Sequence, residues 1–335
     1  MSDLPTTLPP PRDIPPGIDH AAPLQFVINA ASGQHDVSAT RRLIEGALAA
    51  AGRHGDFHLP RPADLARSAS QAARIARLRH TAVVAVGGDG TLNAMAQAAH
   101  AEGCAMGVLA QGTFNYFART HGIPVDLPQA LQGLLAAVPA AVQVGQLNDR
   151  VFLVNASLGL YPDLLQDREA YKARFGRSRL VALGAALATL LGHHRRLRLR
   201  IEIGGKMREV RTTALFVGNN RLQLEQVGLP LAPALDAGSM AAVMLRPVGS
   251  WALLGLLARG AMGRLGDADT LDSFSFQRLV VRPRLAWAGR SLKVAYDGEV
   301  ARLQPPLVFC VAARPLWLLK PAGTPTATGQ AGGVG

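Results

Sequence analysis

Val83-Val84-Ala85-Val86-Gly87-Gly88-Asp89-Gly90-Thr91-Leu92-Asn93 runs from an apolar strand, through three glycines set around one aspartate, into a helix start. Glycine lets a backbone come close to a phosphate, and the N–H groups at a helix start favour an anion. Thr91 is placed to cap the helix and to donate to a phosphate. Asp89 is placed to hold Mg²⁺ or to orient a nucleophile. Rival phosphate motifs fit worse. Gly88 and Gly90 are followed by Asn93 where G-x-G-x-x-G needs a third glycine, and G-x-x-x-x-G-K-[ST] is absent. A ligand-free turn is the plain alternative, but an aspartate wedged among glycines is a costly way to make one.

On either side of this stretch, strand and helix patterns alternate. Residues 24–28 read as a short apolar strand, followed by the polar loop Asn29-Ala30-Ala31-Ser32-Gly33. Ser38 is placed to cap a helix running to about Ala51, and 57–59 read as a second strand. The spacing of Ala66, Ala69, Ala73 and Ala76 predicts a core-facing helix over 63–79. Strands over 81–86 and 106–109 complete a βαβα rhythm, which argues for a parallel sheet covered by helices on both faces. After residue 142 strands dominate. Residues 197–203 and 207–217 flank Gly204-Gly205, a pair suited to a primed hairpin turn. Further strands are expected over 239–245, 274–281, 292–296 and 307–312. The fold class is therefore α/β, with an N-terminal three-layer α/β domain over 23–142 and a C-terminal, mostly antiparallel β-sandwich over 143–320. Residues 1–22 read as a Pro-rich disordered arm and 321–335 as a disordered tail.

Composition narrows the class. Of 335 residues 49% are hydrophobic and 17% charged, which excludes a disordered chain. The formal net charge of +12 points to an anionic partner. Two cysteines, Cys104 and Cys310, exclude a disulfide framework and read as reduced core thiols, in keeping with a cytoplasmic setting. The first 22 residues lack the apolar stretch of a secretory leader. The longest apolar run, 180–192, has 13 residues, short of the roughly 20 that span a bilayer. The stretch 168–211 holds 12 Lys/Arg against Glu169, Glu202 and Glu209, a net +9. A solvated basic face and a contact with an anionic membrane both fit it. Nucleic acid is disfavoured, because the stretch lacks aromatic stacking platforms.

Seven motifs in order resemble the diacylglycerol kinase catalytic-domain family, which includes bacterial lipid kinases and sphingosine kinases. Gly87–Asn93 is similar to its nucleotide loop, a loop that NAD kinases also carry. Asn29-Ala30-Ala31-Ser32-Gly33 resembles its Asn-Pro-x-Ser-Gly loop with Ala30 in place of proline. Gly112-Thr113-Phe114-Asn115-Tyr116-Phe117-Ala118-Arg119 resembles its Gly-Thr-x-Asn-Asp-Phe-Ala-Arg segment. Val154–Gly159, Val217-Gly218-Asn219-Asn220, Leu235-Asp236-Ala237-Gly238 and Asp297-Gly298-Glu299 resemble later landmarks. The resemblance implies ATP and Mg²⁺ held by the Asn29, Ser32, Gly33 loop, by Gly87, Gly88, Asp89, Gly90, Thr91 and Asn93, and by Gly112, Thr113 and Asn115. It also implies a β-sandwich carrying Asp297 and Glu299. Glu299 is the first choice for the base that accepts the hydroxyl proton, with Asp297 and Asp89 left open.

Two departures stand out. Tyr116 replaces an aspartate of the family pattern. Ala237 stands where the family's Asp-Gly turn supplies a ligand to a structural metal, and Asp236 is a candidate substitute from one residue earlier; a one-residue shift changes direction as well as distance, and this weighs against a structural Mg²⁺. Asn155-Ala156-Ser157 fits the glycosylation pattern without a secretion signal, and His193-His194 lack neighbouring metal ligands. The expectation is a lipid kinase, cytoplasmic and peripheral at the inner membrane surface. Diacylglycerol is the leading acceptor, and a homodimer is left open. An NAD kinase-like enzyme and a degenerate, non-catalytic binding module are the alternatives.

Overall fold

The computed structural model describes residues 14–29, 36–159, 162, 196–284 and 291–321. They divide into two compact units. One runs to Val142 and takes the chain up again from Ala313; the other spans Gln143–Ala312. The Ser32-Gly33 loop, His193-His194, most of the basic stretch 168–211 and the tail beyond Pro321 lie outside the described residues.

The first unit is built on strands β1 (Leu24–Ile28), β2 (Gly55–His58), β3 (Ala82–Gly87), β4 (Ala105–Ala110), β5 (Ala137–Val142) and the late strand β18 (Leu316–Pro321). Their order is β2-β1-β3-β4-β18-β5. All neighbours are parallel except β18 and β5. Every residue of β1, β3 and β4 is buried, as expected of parallel strands covered on both faces. Helices α1 (Val37–Ala50), α2 (Leu65–Leu78), α3 (Asp89–Glu102), α4 (Tyr116–Thr120) and α5 (Leu127–Leu135) connect them. Alanine lets the helices sit close to the sheet. Ala69, Ala72, Ala73 and Ala76 of α2 are fully buried, whereas Ala66, placed in the core by the spacing, is exposed. Asp36, not Ser38, caps α1, its carboxylate accepting from the Ser38 N–H at 2.8 Å.

Two further differences from the sequence expectation concern the unit's limits. Within the stretch read as an arm, Asp19 donates its N–H to the His80 carbonyl at 2.6 Å, and Ile18 packs on the core, so residues 14–22 belong to the folded unit. Residues 316–320, grouped by the strand count with the second domain, form β18 in the first unit's sheet. An apolar strand carries no mark of which sheet it joins.

The second unit holds β6 (Gly145–Leu147), β7 (Arg150–Phe152), β8 (Asn155–Gly159), β9 (Leu197–Ile203), β10 (Lys206–Thr212), β11 (Ala214–Gly218), β12 (Met240–Leu245), β13 (Leu271–Phe276), β14 (Arg278–Pro283), β15 (Leu292–Tyr296), β16 (Glu299–Leu303) and β17 (Leu307–Val311). They form two antiparallel sheets, β10-β9-β14-β17-β6-β7 and β13-β12-β11-β8-β15-β16. One core joins the two, with Leu199, Ile201 and Phe309 from the first sheet packed with Leu158, Val217 and Val294 from the second. Helices α6 (Arg221–Gln226), α7 (Ala232–Asp236) and α8 (Ser250–Ala261) are additions the strand-rich pattern does not reveal. The Gly204-Gly205 turn has φ of 54° and 77°, as a primed hairpin requires. The expected strands 207–217 and 274–281 each divide. β10 and β11 lie in different sheets, separated at Thr213, and so do β13 and β14, separated at Gln277. The chain therefore turns a sandwich corner twice within what reads as a single apolar run.

Leu318 is fully buried and lies between β4 and β5. Leu318→Ala is expected to destabilise the first unit by about 2–5 kcal/mol. In hydrogen exchange, amides of β4, distant in sequence, should lose protection together with those of β18. Loss confined to the second unit would contradict the placement of this strand.

Candidate functional site

In the first unit the chain leaves β1 toward β2 on one side and leaves β3 toward β4 on the other, so the strand order reverses between β1 and β3. Ligands of open α/β sheets bind outside the carboxyl ends of the strands at such a point. The two loops found there are the Asn29 and Gly87–Asp89 loops. The Asn29 N–H donates to the Val86 carbonyl at 3.2 Å, and its side-chain Nδ2 donates to Thr91 Oγ1 at 3.0 Å.

Helix α3 begins at Asp89, with Gly88 as its cap and no side chain capping it. The Thr91 N–H is taken by the Gly88 carbonyl at 2.9 Å, so the first-turn N–H groups that no side chain caps are those of Asp89 and Gly90. Thr91, expected to cap, is the third residue of the helix and only 2% exposed, with its hydroxyl engaged by Asn29. Asn93 is buried behind it. The Asp89 carboxyl is pushed above its usual range by desolvation.

The segment after β4 closes on the same loop. The Gln111 N–H donates to the Gly87 carbonyl at 2.8 Å. A Cβ on Gly112 would come within 2.8 Å of Asn115 Oδ1 and 3.3 Å of the Gly88 Cα, so only glycine fits this approach. Asn115 clasps the turn from both ends, accepting from the Gly112 N–H at 2.9 Å and donating to the Gly112 carbonyl at 3.0 Å. It does so at φ 50°, a conformation asparagine tolerates better than most residues. Thr113 and Phe114 are exposed, and the Phe114 ring stacks on Tyr116 with centroids 5.6 Å apart. Of the predicted nucleotide residues, Asn29, Gly88, Asp89, Gly90, Gly112 and Thr113 thus reach the surface, while Gly87, Thr91, Asn93 and Asn115 support them from beneath.

The landmarks of the second unit converge on Leu153–Asn155. Asp297 and Gly298 form the two-residue turn between β15 and β16, with φ of 45° and 87°. The Asp297 carboxylate turns inward and accepts the N–H groups of Leu153, Val154 and Asn155 at 2.6, 2.8 and 3.1 Å. Asn219 donates to the Leu153 carbonyl at 3.2 Å, and Asn220 caps α6. Asn155, 5% exposed, donates to Gln223 at 3.1 Å, and its burial excludes a glycan. Gln143, which no sequence pattern singled out, donates to Asn219 at 2.8 Å and lies 3.1 Å from the Ser239 carbonyl.

Glu299 differs from Asp297. It is exposed at the start of β16, and its carboxyl is raised above the usual range by desolvation, with the Arg150 charge opposing the rise. Arg150 is itself held by the Tyr296 hydroxyl at 2.7 Å. Asp236, the candidate metal ligand, pairs with Arg221. Among the described residues no group of three or more His, Cys, Asp or Glu side chains is placed to hold a metal ion.

Residues 23–147 match the model of the diacylglycerol kinase catalytic domain. Over these residues the chain is similar to that family. The match takes in all three loops of the first-unit site. A probable lipid kinase, YegS-like, of Enterobacter sp. is 44% identical over 81 residues, covering 23% of this chain and 27% of the relative. A protein of the same description from Pseudomonas syringae pv. tomato is 42% identical over 82 residues, again 27% of its length. The chain thus aligns with about a quarter of each of these relatives. A longer match, 29% identical over 258 residues and covering 73% of this chain and 78% of the relative, is to a probable lipid kinase, YegS-like, of Pseudomonas aeruginosa. Among solved structures, a diacylglycerol kinase of Bacillus anthracis superposes with a TM-score of 0.65 over 89% of this chain and 96% of its own, at 18% identity. That likeness extends the family's fold through the second unit.

Asp297→Asn keeps the shape and the left-handed turn preference but removes the charge that three N–H groups share. It is expected to cost the second unit about 1–3 kcal/mol, read as a lower denaturation midpoint. A second expectation concerns His121, which ends α4 and packs edge-on against Phe117. Desolvation, aided by the Lys320 charge, pushes its pKa down to about 4. The unfolded chain then binds the extra proton, so this stability is fully present above pH 6.5 and is lost as pH falls toward 4. The expected loss is about 1–3 kcal/mol, discounted for the ring's partial exposure. The wild-type melting temperature should fall relative to that of His121→Phe as pH drops from 6.5 toward 4 if this is so, and the difference should stay constant if it is not.

Proposed function

We propose that the protein is an ATP-dependent lipid kinase that transfers the γ-phosphoryl group to a lipid hydroxyl, with a diacylglycerol-like acceptor. The observation that carries this reading is the meeting of three loops at the strand-order reversal of a parallel sheet, beside a helix whose first turn has no side-chain cap. The family match over 23–147 and the descriptions of the relatives support the same class.

The residues fit a nucleotide. Asn29, Gly88, Asp89, Gly90, Gly112 and Thr113 are the surface groups that would hold its phosphates, by backbone N–H donation and the Thr113 hydroxyl. Bound Mg-ATP supplies the phosphoryl group and a cation that neutralises the developing phosphate charge. Asp89 is the carboxylate placed to face that cation. Asp236 does not fit a structural metal, since its charge is already matched by Arg221.

A lipid hydroxyl attacks well only when a carboxylate takes its proton, help that typically contributes 10²–10⁴-fold. Asp297 is buried and committed to three N–H donors. Glu299 is exposed, and desolvation raises its proton affinity, which suits a base. We assign the proton-accepting role to Glu299 and a positioning role to Asp297. The basic stretch 168–211 gives the enzyme an electrostatic hold on an anionic membrane, as a peripheral protein of the cytoplasmic face; among the described residues no helix is long and apolar enough to cross one.

Purified protein, labelled ATP and a panel of hydroxyl lipids, with NAD included, test the class. Asp89→Ala is expected to abolish turnover without changing the melting temperature. Glu299→Gln should lower kcat by ~10²-fold or more while leaving ATP affinity unchanged. Because the Glu299 carboxyl is raised, the wild-type rate should fall on acidification at a pH above the ordinary glutamate value, and Glu299→Gln should erase that limb. Phosphorylation of NAD in place of a lipid, or full activity in both variants, would overturn the reading.

A further inference from the structure

We propose that the hollow at the open end of the β9–β10 hairpin is a binding site for a phosphate monoester group, separate from the loops of the first unit. The hollow has a volume of about 720 Å³ and is lined by Arg196, Arg198, Arg211 and Arg246, by Glu209 and Asp272, and by an apolar floor that includes Val210 and Met244.

The ladder of this hairpin explains why the charges are unusual. Arg200 lies opposite Glu209, and the two pair at 3.0 Å. At the next outward-facing position Arg198 lies opposite Arg211. Like charges directly opposed across an antiparallel pair repel, and the nearby Glu209 charge, which Arg211 also feels, is shared with Arg200 and Arg284. Both carboxylates of the hollow are already engaged. Glu209 is held by Arg200, with Arg284 at 3.8 Å, and Asp272 receives two nitrogens of Arg246 at 2.6 and 3.2 Å. Arg196, Arg198 and Arg211 make no ion pair among the described residues. A sheet edge that needed only solubility would not set two arginines against each other beside a cavity.

The charge and the shape both select a ligand. Four arginines against two carboxylates leave the hollow with a surplus of +2. A phosphate monoester carries about −1.5 to −2 at neutral pH, whereas a phosphodiester carries one charge. Guanidinium forks match phosphate oxygens two at a time, and the Asp272 carboxylate holds the Arg246 fork in place before a ligand arrives. A lipid headgroup and a soluble phosphate share this chemistry. The proposal does not depend on the kinase reading, because binding is measured without ATP.

Full-length protein is titrated with inorganic phosphate. In parallel it is floated with phosphatidylcholine vesicles carrying phosphatidic acid, a monoester, or phosphatidylglycerol, a diester, at matched surface charge. The wild type is expected to bind phosphate, to prefer the monoester vesicles, or both; the first alone assigns a soluble ligand and the second a lipid. Arg198→Gln and Arg211→Gln should each weaken the observed binding about tenfold or more. Each variant removes one of two facing like charges, so its melting temperature should hold or rise, which separates a lost site from a lost fold. Equal binding by wild type and variants overturns the proposal. So does wild-type vesicle binding that follows surface charge alone, with no phosphate binding, or the absence of both.

Discussion

One carboxylate, that of Asp297, holds three consecutive backbone N–H groups at Leu153, Val154 and Asn155. These residues run from the end of β7 into the first residue of β8, where the chain passes from one sheet of the sandwich to the other. A strand pair cannot satisfy the backbone at such a crossing, and buried N–H groups without partners are costly. The Asp297 turn supplies the missing acceptor from the far end of the sequence. Asn219 and Gln143 complete the arrangement, so the second unit's polar landmarks form one network around a crossing point. Glu299 is presented at the surface because Asp297, two residues earlier, is anchored below it.

The first unit solves a different problem. A parallel sheet leaves its chemistry at the carboxyl ends of the strands, and the loops there must be held without blocking the surface a ligand needs. Thr91 and Asn115 do the holding from beneath, Asn29 ties down to Thr91 from the surface, and glycine at 88 and 112 lets two loops lie nearly in contact. The surface that remains has much backbone in it, with Asn29, Asp89, Thr113 and Phe114 among its side-chain groups.

Charge is distributed by need. The Arg200–Glu209 and Arg246–Asp272 pairs are exposed and contribute little stability individually. Their effect is to remove the two carboxylates from competition, leaving Arg196, Arg198 and Arg211 with a net positive field in a shaped hollow.

Several features were legible without any structure. The βαβα rhythm, the Gly87–Asn93 loop, the Gly204-Gly205 hairpin and the buried strands follow from hydrophobic period and from residues whose backbone preferences are strong, and these act over a few neighbours in the chain. The resemblance carried by ordered motifs pointed to the family whose model matches residues 23–147, because those motifs sit at turns where few residues fit. What the sequence could not show was long-range pairing. Nothing in residues 316–320 marks them as a strand of the first sheet, because an apolar strand fits any covered position. Nothing in 207–217 or 274–281 marks a change of sheet, since the corner residues Thr213 and Gln277 are ordinary in a strand. The split between Asp297 and Glu299 was equally hidden. Two carboxylates separated by one glycine look alike in a string of letters, and only the fold turns one toward Leu153–Asn155 and leaves the other at the surface, partly withdrawn from water. Local sequence determined the elements and the phosphate-type loop; which elements pair, and which charges are matched, was decided by contacts between residues far apart in the chain.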